Sequence, residues 1–496
     1  MSIKEDLELV NKYQKEISIL WQTQSLLYWD QQTYMPEASS EERAEQKSFI
    51  SSLTHRRINS NKLFNAVKRL KQSNLKGKNK LMVKRLYKDL LKQRKLPKNF
   101  IKELSKTTSK GFDKWQQAKR KNDFDIFKPT LKKIVKLKRK EAEFLDFDGH
   151  PYNSLIDEFE EGMTVEKYLP IFKDLKEKLI SLLDKIRASS GYKKQKEIKI
   201  KKPTKEDQKE ITKEIINTMG LPKDRSRFDF AEHPSTPQID ANDVRITTNN
   251  EKNIIKTIQS SMHESGHALQ SLNFPKEDQY TFLYDVPSFG IGESQAIFWE
   301  NIIGRSKNFW QFFYPKIKNK ANLPSRKELI KHMNKIEPNK IRVEADEIHY
   351  CLHIILRFEL EKGLIEGSIE VEDLPELWNK KMKEYIGLEP ENDSEGILQD
   401  THWAQGLFGY FPSYALGKIY ASQIYNQAKK DIPEMEKKIK NGNFSPIKKW
   451  LKEKIHMHER KILAEDLIKK VCGEGLNPEI FIDYLEDKYS RIYNLE

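Results

Sequence analysis

The sequence predicts a mainly α-helical body with one small β-sheet. Three observations carry this. Apolar residues recur at helical spacing through most of the chain. A hydrophobic fraction of 37% beside a charged fraction of 33% suits long helices with one buried stripe and a charged outer face. One stretch, Phe228 to Thr248, loses the helical period altogether. No low-complexity linker and no fixed-period repeat divides the 496 residues, so a single body over 1–496 is expected.

Taken in order, residues 5–60 read as helices broken at Met35-Pro36, with Ala44, Phe49, Ile50 and Leu53 as an apolar stripe. Residues 61–190 continue in that style, with helix-ending signals at Pro97, Pro129 and Gly149 to Pro151. Ser189-Ser190-Gly191 opens a Lys-rich loop to Lys205, with a candidate strand from Glu197 to Ile200. His233-Pro234, Thr236-Pro237 and Asp240 to Asn242 then punctuate short extended runs, and Val244-Arg245-Ile246-Thr247-Thr248 alternates as a strand does. Asn253 to Leu272 places Ile254, Ile255, Ile258, Met262, Ala268, Leu269 and Leu272 at helical spacing with no Pro inside. Gly266, costing about 1 kcal/mol against Ala in a helix, reads as a point of close packing. The expected regions are 1–190 helical, 191–250 loop and small sheet, 251–433 metal-site helices, and 434–496 closing amphipathic helices.

The helix after the sheet carries His263-Glu264-Ser265-Gly266-His267. Positions i and i+4 share a helix face, so both imidazoles can meet one ion at about 2.0–2.1 Å. Glu264 then lies beside the open position, where a carboxylate can take a proton from water activated by the ion. A third protein ligand is required, and no H-x-x-G-x-x-H extension supplies a third histidine. The candidates are Glu277, Asp278, Glu293 and Glu300. Glu293 is the choice, because it opens a second apolar helix that can face the first across one groove. His349 and His353 form a rival i, i+4 pair without a Glu after the first His, and His456 and His458 would point to different faces.

These residues resemble the M32 metallocarboxypeptidases typified by carboxypeptidase Taq. Besides H-E-x-x-H, Asp243-Val244-Arg245-Ile246-Thr247 matches D-x-R-x-T, Ile341 to Asp346 matches I-R-x-x-A-D, and Gly396 to Trp403 matches G-x-x-Q-D-x-H-W, in the family's order. The likeness runs from about Trp29-Asp30 to the C-terminal helices. Two positions depart: the family's H-P-F is His233-Pro234-Ser235 here, and its H-E-S-Q-S-R is Gly292-Glu293-Ser294-Gln295-Ala296-Ile297. The resemblance implies a homodimeric, largely helical, gluzincin-like exopeptidase with the metal at the bottom of a long groove and 1–190 as a wall or lid. Zn²⁺ is the implied ion, held by His263, His267 and Glu293, with Co²⁺ or another divalent ion able to substitute. It also makes Arg342 the first choice to anchor a substrate α-carboxylate, with Arg245 and Arg357 behind it and His233 near the substrate. The alternative for each arginine is a buried ion pair with Asp243, Asp346 or Glu359. Tyr410, Tyr414 and His402 are candidate hydrogen-bond donors to the peptide.

Other classes fare worse. A net charge of +15 invites a nucleic-acid partner, but the lysines are spread among acids and apolar residues without a recognition motif. Two cysteines, Cys351 and Cys472, make no disulfide framework, and the start Met1-Ser2-Ile3-Lys4 has no apolar leader, so a soluble cytoplasmic peptidase acting on peptides, without a membrane, is expected. A zinc oligopeptidase or endopeptidase on the same scaffold is the alternative within enzymes. A basic scaffold or nucleic-acid binder with an inactive metal site is the alternative outside them.

Overall fold

The computed structural model describes all residues except 1, 196, 197, 199, 201, 202, 250–252, 321, 322 and 496. Helices run from Ile3–Thr33 to Glu479–Tyr493, interrupted by one small sheet, so the mainly α expectation holds. The first helix starts on a capping box in which Ser2 and Glu5 satisfy each other's backbone N–H groups. Its neighbour Asn61–Gln72 buries Leu63, Ala66, Val67 and Leu70, the i, i+3, i+4, i+7 stripe of a surface helix. With Gly77–Lys95 these helices enclose a small core of their own, into which Phe282 and Leu283 insert from the loop after the metal helix. Helices from Lys98–Lys121 onward contribute to the larger core.

Ser40–Ile58 is helical, but only half of its proposed apolar stripe packs inward: Ile50 and Leu53 are half-buried, whereas Phe49 is 62% exposed and Ala44 is exposed. Polar contacts share the inward face. Arg43 pairs with Asp30 at 2.6 Å and Lys47 donates to Gln31 at 2.9 Å, so charged and polar contacts help to dock this helix on the first one. The candidate strand at 197–200 falls on residues partly outside the described ones. Lys205–Met219 forms a helix unread in the sequence, begun by a Thr204–Asp207 capping box and ended by Gly220 in the left-handed region.

The sheet has strand order β1-β3-β2, with β1 Ser226–Phe230, β2 Gln238–Asp240 and β3 Asp243–Thr248. β1 lies parallel to β3 and β2 antiparallel to it, which leaves β2 at an edge. Val244, Ile246, Thr247 and Thr248 of β3 are buried, and Thr248 Oγ1 meets Ser260 Oγ of the metal helix at 3.0 Å. The sheet therefore lies directly on the helix that carries the histidines. Among the described residues no helix is long and apolar enough to cross a membrane.

Candidate active site

The metal helix is Ile254–Leu272, capped by the Asn253 side chain and buried along its apolar face. One turn apart on that helix, the Nε2 atoms of His263 and His267 lie 3.2 Å from each other. The helix Phe289–Ile297 brings Glu293 to them, its oxygens 3.8 Å from His263 Nε2 and 4.0 Å from His267 Nε2. A tetrahedron with ligand bonds of about 2.0–2.1 Å has edges of about 3.3 Å, so these spacings bracket a small divalent cation. Among the described residues, this trio is the one group of three or more His, Cys, Asp or Glu side chains able to hold a metal.

Glycines allow the two helices to come this close. A Cβ on Gly266 would stand 2.8 Å from Ala296 Cα and from Gln295 O, and one on Gly417 would stand 2.8 Å from Glu293 Cβ. Gly266→Ala therefore pushes the metal helix off the Glu293 helix. We expect metal affinity to fall by at least about tenfold, read by competition with a chromophoric chelator, with loss of stability of about 1–3 kcal/mol in urea melts. Two of the three departures beside Glu293 lie in this packing: the Ala296 backbone faces Gly266, and the Ile297 side chain faces Gly417, whereas Gly292 lies against Val286. Ser235 bonds Thr247 hydroxyl to hydroxyl at 2.8 Å and ties the segment before β2 to β3.

The ligands are themselves held. After Ile297 the helix widens into a π turn, Phe298–Ile303, which swings Glu300 to 2.9 Å from His263 Nδ1. The Nδ1–H donating there leaves the Nε2 lone pair for a cation. Glu300, one of the four carboxylates considered as a ligand, is thus a partner of the candidate ligand His263. Burial depresses His263, but the Glu300 hydrogen bond and charge outweigh it and lift the ring to about 10. His267 is lowered by burial and by its charged neighbour to about 3. Burial raises both Glu264 and Glu293, and for Glu264 the charges of Glu293 and Glu300 add to it. Three carboxylates around two imidazoles, with a proton lodged on one ring, make a donor set that a divalent cation would neutralise.

Glu264 is 7% exposed, and the Thr236 hydroxyl lies 2.7 Å from its Oε2 and 2.9 Å from its backbone carbonyl. Thr236, just ahead of β2, was read in the sequence only as punctuation; nothing in its local pattern marks it as a partner of Glu264.

On the other side of Glu293 stands an aromatic and basic wall. Tyr410 packs against Tyr414 at 5.3 Å and against His402 at 5.3 Å between ring centroids. Burial pushes Tyr410 up to about 12, with the Glu293 charge adding to the shift. His402 is driven down to about 4 by burial, and its Nδ1 has no hydrogen-bond partner among the described residues. Arg342 is 5% exposed and donates to Asp400 from Nε at 3.2 Å and Nη2 at 2.8 Å, and to the Tyr350 hydroxyl from Nη1 at 2.7 Å. Three of its five N–H groups are thereby engaged, leaving two. Arg357 is fully buried and engaged at Asp400, Gln399 and the His353 carbonyl.

The ion-pair partner of both arginines is Asp400, not Asp346 or Glu359. Asp400 lies in the quoted G-x-x-Q-D-x-H-W stretch, so the signal was present without the pairing. Arg245 pairs with Asp243 at 2.6 Å and stacks 4.0 Å over the Trp29 ring, so its partners are the sheet and the first helix. His233 is exposed, and its carbonyl accepts from Thr247 at 3.0 Å. The rival pair is a pair of core histidines: His349 bonds Asp346 at 2.6 Å and His353 bonds the Asn339 carbonyl at 2.9 Å.

Residues 9–489 match the family model described as Carboxypeptidase Taq (M32) metallopeptidase. The chain belongs to this family. It is accordingly a metallopeptidase, a hydrolase that works with a divalent metal. It is 38% identical over 488 residues to Carboxypeptidase 1 of Bacillus subtilis, covering 97% of each chain. Identity to Thermostable carboxypeptidase 1 of Pyrococcus furiosus is 38% over 490 residues, 97% of this chain and 98% of that one. Among solved structures, that of Pyrococcus furiosus carboxypeptidase superposes with a TM-score of 0.95 at 37% identity, over 98% of this chain and 99% of the other. The M32 carboxypeptidase from Deinococcus radiodurans gives 0.93 at 29% identity, over 99% and 100%. This metallopeptidase thus shares the helical gluzincin-like fold of its relatives along nearly its whole length.

Proposed function

We propose that the protein is a zinc-dependent carboxypeptidase that removes single residues from the C-termini of peptides. The observation that carries this reading is the convergence of His263, His267 and Glu293, with the buried Glu264 carboxylate beside them. A bound divalent ion, Zn²⁺ or a substitute such as Co²⁺, supplies a Lewis acid that polarises the scissile carbonyl and acidifies water. Glu264 takes the proton of the attacking water and later hands it to the departing amine. Thr236 orients that carboxylate by its 2.7 Å hydrogen bond. Tyr410, Tyr414 and His402 offer donors to the developing oxyanion and the peptide backbone.

Release of one terminal residue demands a cation that recognises a free α-carboxylate. Arg342 suits this best, because two of its N–H groups remain for a substrate while Asp400 and Tyr350 hold the guanidinium still. Arg342→Ala leaves Asp400 paired with Arg357, so the fold should survive. We expect kcat/KM on peptides with a free C-terminus to fall by about 10–100-fold, as loss of charged hydrogen bonds worth about 1.5–3 kcal/mol requires. Peptides with an amidated C-terminus should be poor substrates of the parent and barely affected by the change; equal cleavage of both by the parent would remove the anchor from the account.

The reading extends to a homodimer, which the family resemblance implies, and to a reducing, cytoplasmic setting, which the unpaired Cys351 and Cys472 suit. The deciding experiment is a mass ladder from a mixed peptide with and without a chelator. Successive loss of single C-terminal residues, stopped by the chelator, is expected. Internal fragments would point to an oligopeptidase instead.

A further inference from the structure

The helix that carries Glu293 caps itself only in part. Of its first backbone N–H groups, that of Ile291 is satisfied by the Ser288 side chain and that of Gly292 by the Ser288 carbonyl. The two ahead of them are met by a segment about 130 positions earlier in the chain. Phe289 N–H donates to the Phe159 carbonyl at 3.1 Å, and Gly290 N–H donates to the Glu160 carboxylate. Glu160 is 1% exposed, and a Cβ on Gly290 would stand 2.7 Å from its Oε1, so glycine is required for the carboxylate to reach this N–H.

Its other oxygen, the Tyr168 hydroxyl and the Ser413 hydroxyl make no well-formed hydrogen bond among the described residues, and the Ser288 and Ser413 hydroxyls lie near enough to stabilise the carboxylate, so the Gly290 N–H is its one well-formed tie. The Phe159 ring completes the junction, packing edge-on against Phe289 at 5.4 Å and Tyr410 at 5.1 Å. The flanking acids turn outward: Asp157 meets Lys88 at 3.2 Å, Glu158 meets Lys92 at 2.9 Å and Glu161 meets Arg85 at 2.5 Å, all on the helix Gly77–Lys95.

We propose that Glu160 is a positioning residue for the metal site: by holding the first turn of the Phe289–Ile297 helix, one turn ahead of Glu293, it fixes where the third ligand carboxylate stands. A buried carboxylate at a helix N-terminus is well placed for this, since it satisfies an otherwise orphaned donor and opposes the positive end of the helix dipole. The effect on metal should be that of a residue supporting a ligand, about 10–100-fold in affinity. The inference rests on Glu293 being a ligand, and two readouts keep the claims apart.

In the chelated, metal-free protein, amide hydrogen exchange across 289–293 should quicken at least about tenfold in Glu160→Ala, whether or not zinc ever binds. In the holoenzyme, the zinc dissociation constant of Glu160→Ala should rise at least about tenfold. Glu160→Gln keeps one acceptor oxygen for Gly290 N–H and should stay within about threefold of the parent in both measurements. Gly290→Ala disturbs the same contact from the other side and should reproduce the alanine variant if that one folds poorly. Zinc affinity equal to the parent's in Glu160→Ala, or Glu160→Gln as impaired as Glu160→Ala, would overturn the proposal. Faster exchange in a protein whose parent binds no zinc would leave the helix contact standing and remove Glu293 as a ligand.

Discussion

Glu264→Gln is expected to lower kcat by about two to four orders of magnitude while the metal content stays at that of the parent. The substitution is isosteric, and the Gln carbonyl oxygen can still accept from the Thr236 hydroxyl now 2.7 Å from Oε2, so the side chain should keep its place. What it loses is basicity: an amide cannot accept the proton of the attacking water. Burial already raises the Glu264 carboxyl, which brings its proton affinity nearer that of activated water and is the direction a general base needs. The proposed ligands His263, His267 and Glu293 are untouched, so elemental analysis and thermal melts should match the parent, and KM should change little because substrate contacts remain. Steady-state kinetics on a peptide with a free C-terminus would check this. A kcat within tenfold of the parent's would mean that another group takes the proton.

The parts of this site that were legible in the sequence are those in which a single helix or a fixed spacing does the work. His263 and His267 needed only the 3.6-residue period, and Glu293 only the start of a second apolar helix. The parts that were not legible depend on contacts between distant segments. Thr236 reaches Glu264 because the segment just ahead of β2 runs beside the helix that carries the histidines. Glu300 reaches His263 Nδ1 because a π turn shifts the register after Ile297, and an α-helical reading has no place for that extra residue. The apolar stripe read on Ser40–Ile58 holds only at Ile50 and Leu53 for a related reason: helical spacing finds a face but not its partner, and here Asp30 and Gln31 recruit the face bearing Arg43 and Lys47, turning Ala44 and Phe49 outward. Arg342 and Arg357 were read as separate cations. Their shared use of Asp400 is a tertiary fact, and it divides them into one with two free N–H groups and one with its groups engaged.

His267→Ala should abolish measurable turnover and reduce zinc affinity by about two to three orders of magnitude. Zinc sites with four ligands bind with about 10–16 kcal/mol at neutral pH, so one ligand accounts for roughly 2.5–4 kcal/mol. The remaining pair, His263 and Glu293, stands 3.8 Å apart and can still meet a cation, but with two of its positions open to water. The imidazole lost is half-buried, and its lowered pKa means that it offers a lone pair rather than a proton across the neutral range, so no charge is deleted with it. Thermal stability supplies a readout apart from activity. A ligand that binds only the folded chain stabilises it by RT ln(1 + [L]/Kd), about 4 kcal/mol at a thousandfold excess over Kd. Added zinc should therefore raise the melting temperature of the chelated parent and leave that of His267→Ala almost where it was. If the variant still gains the full shift, His267 is not a ligand and the trio is not the zinc site.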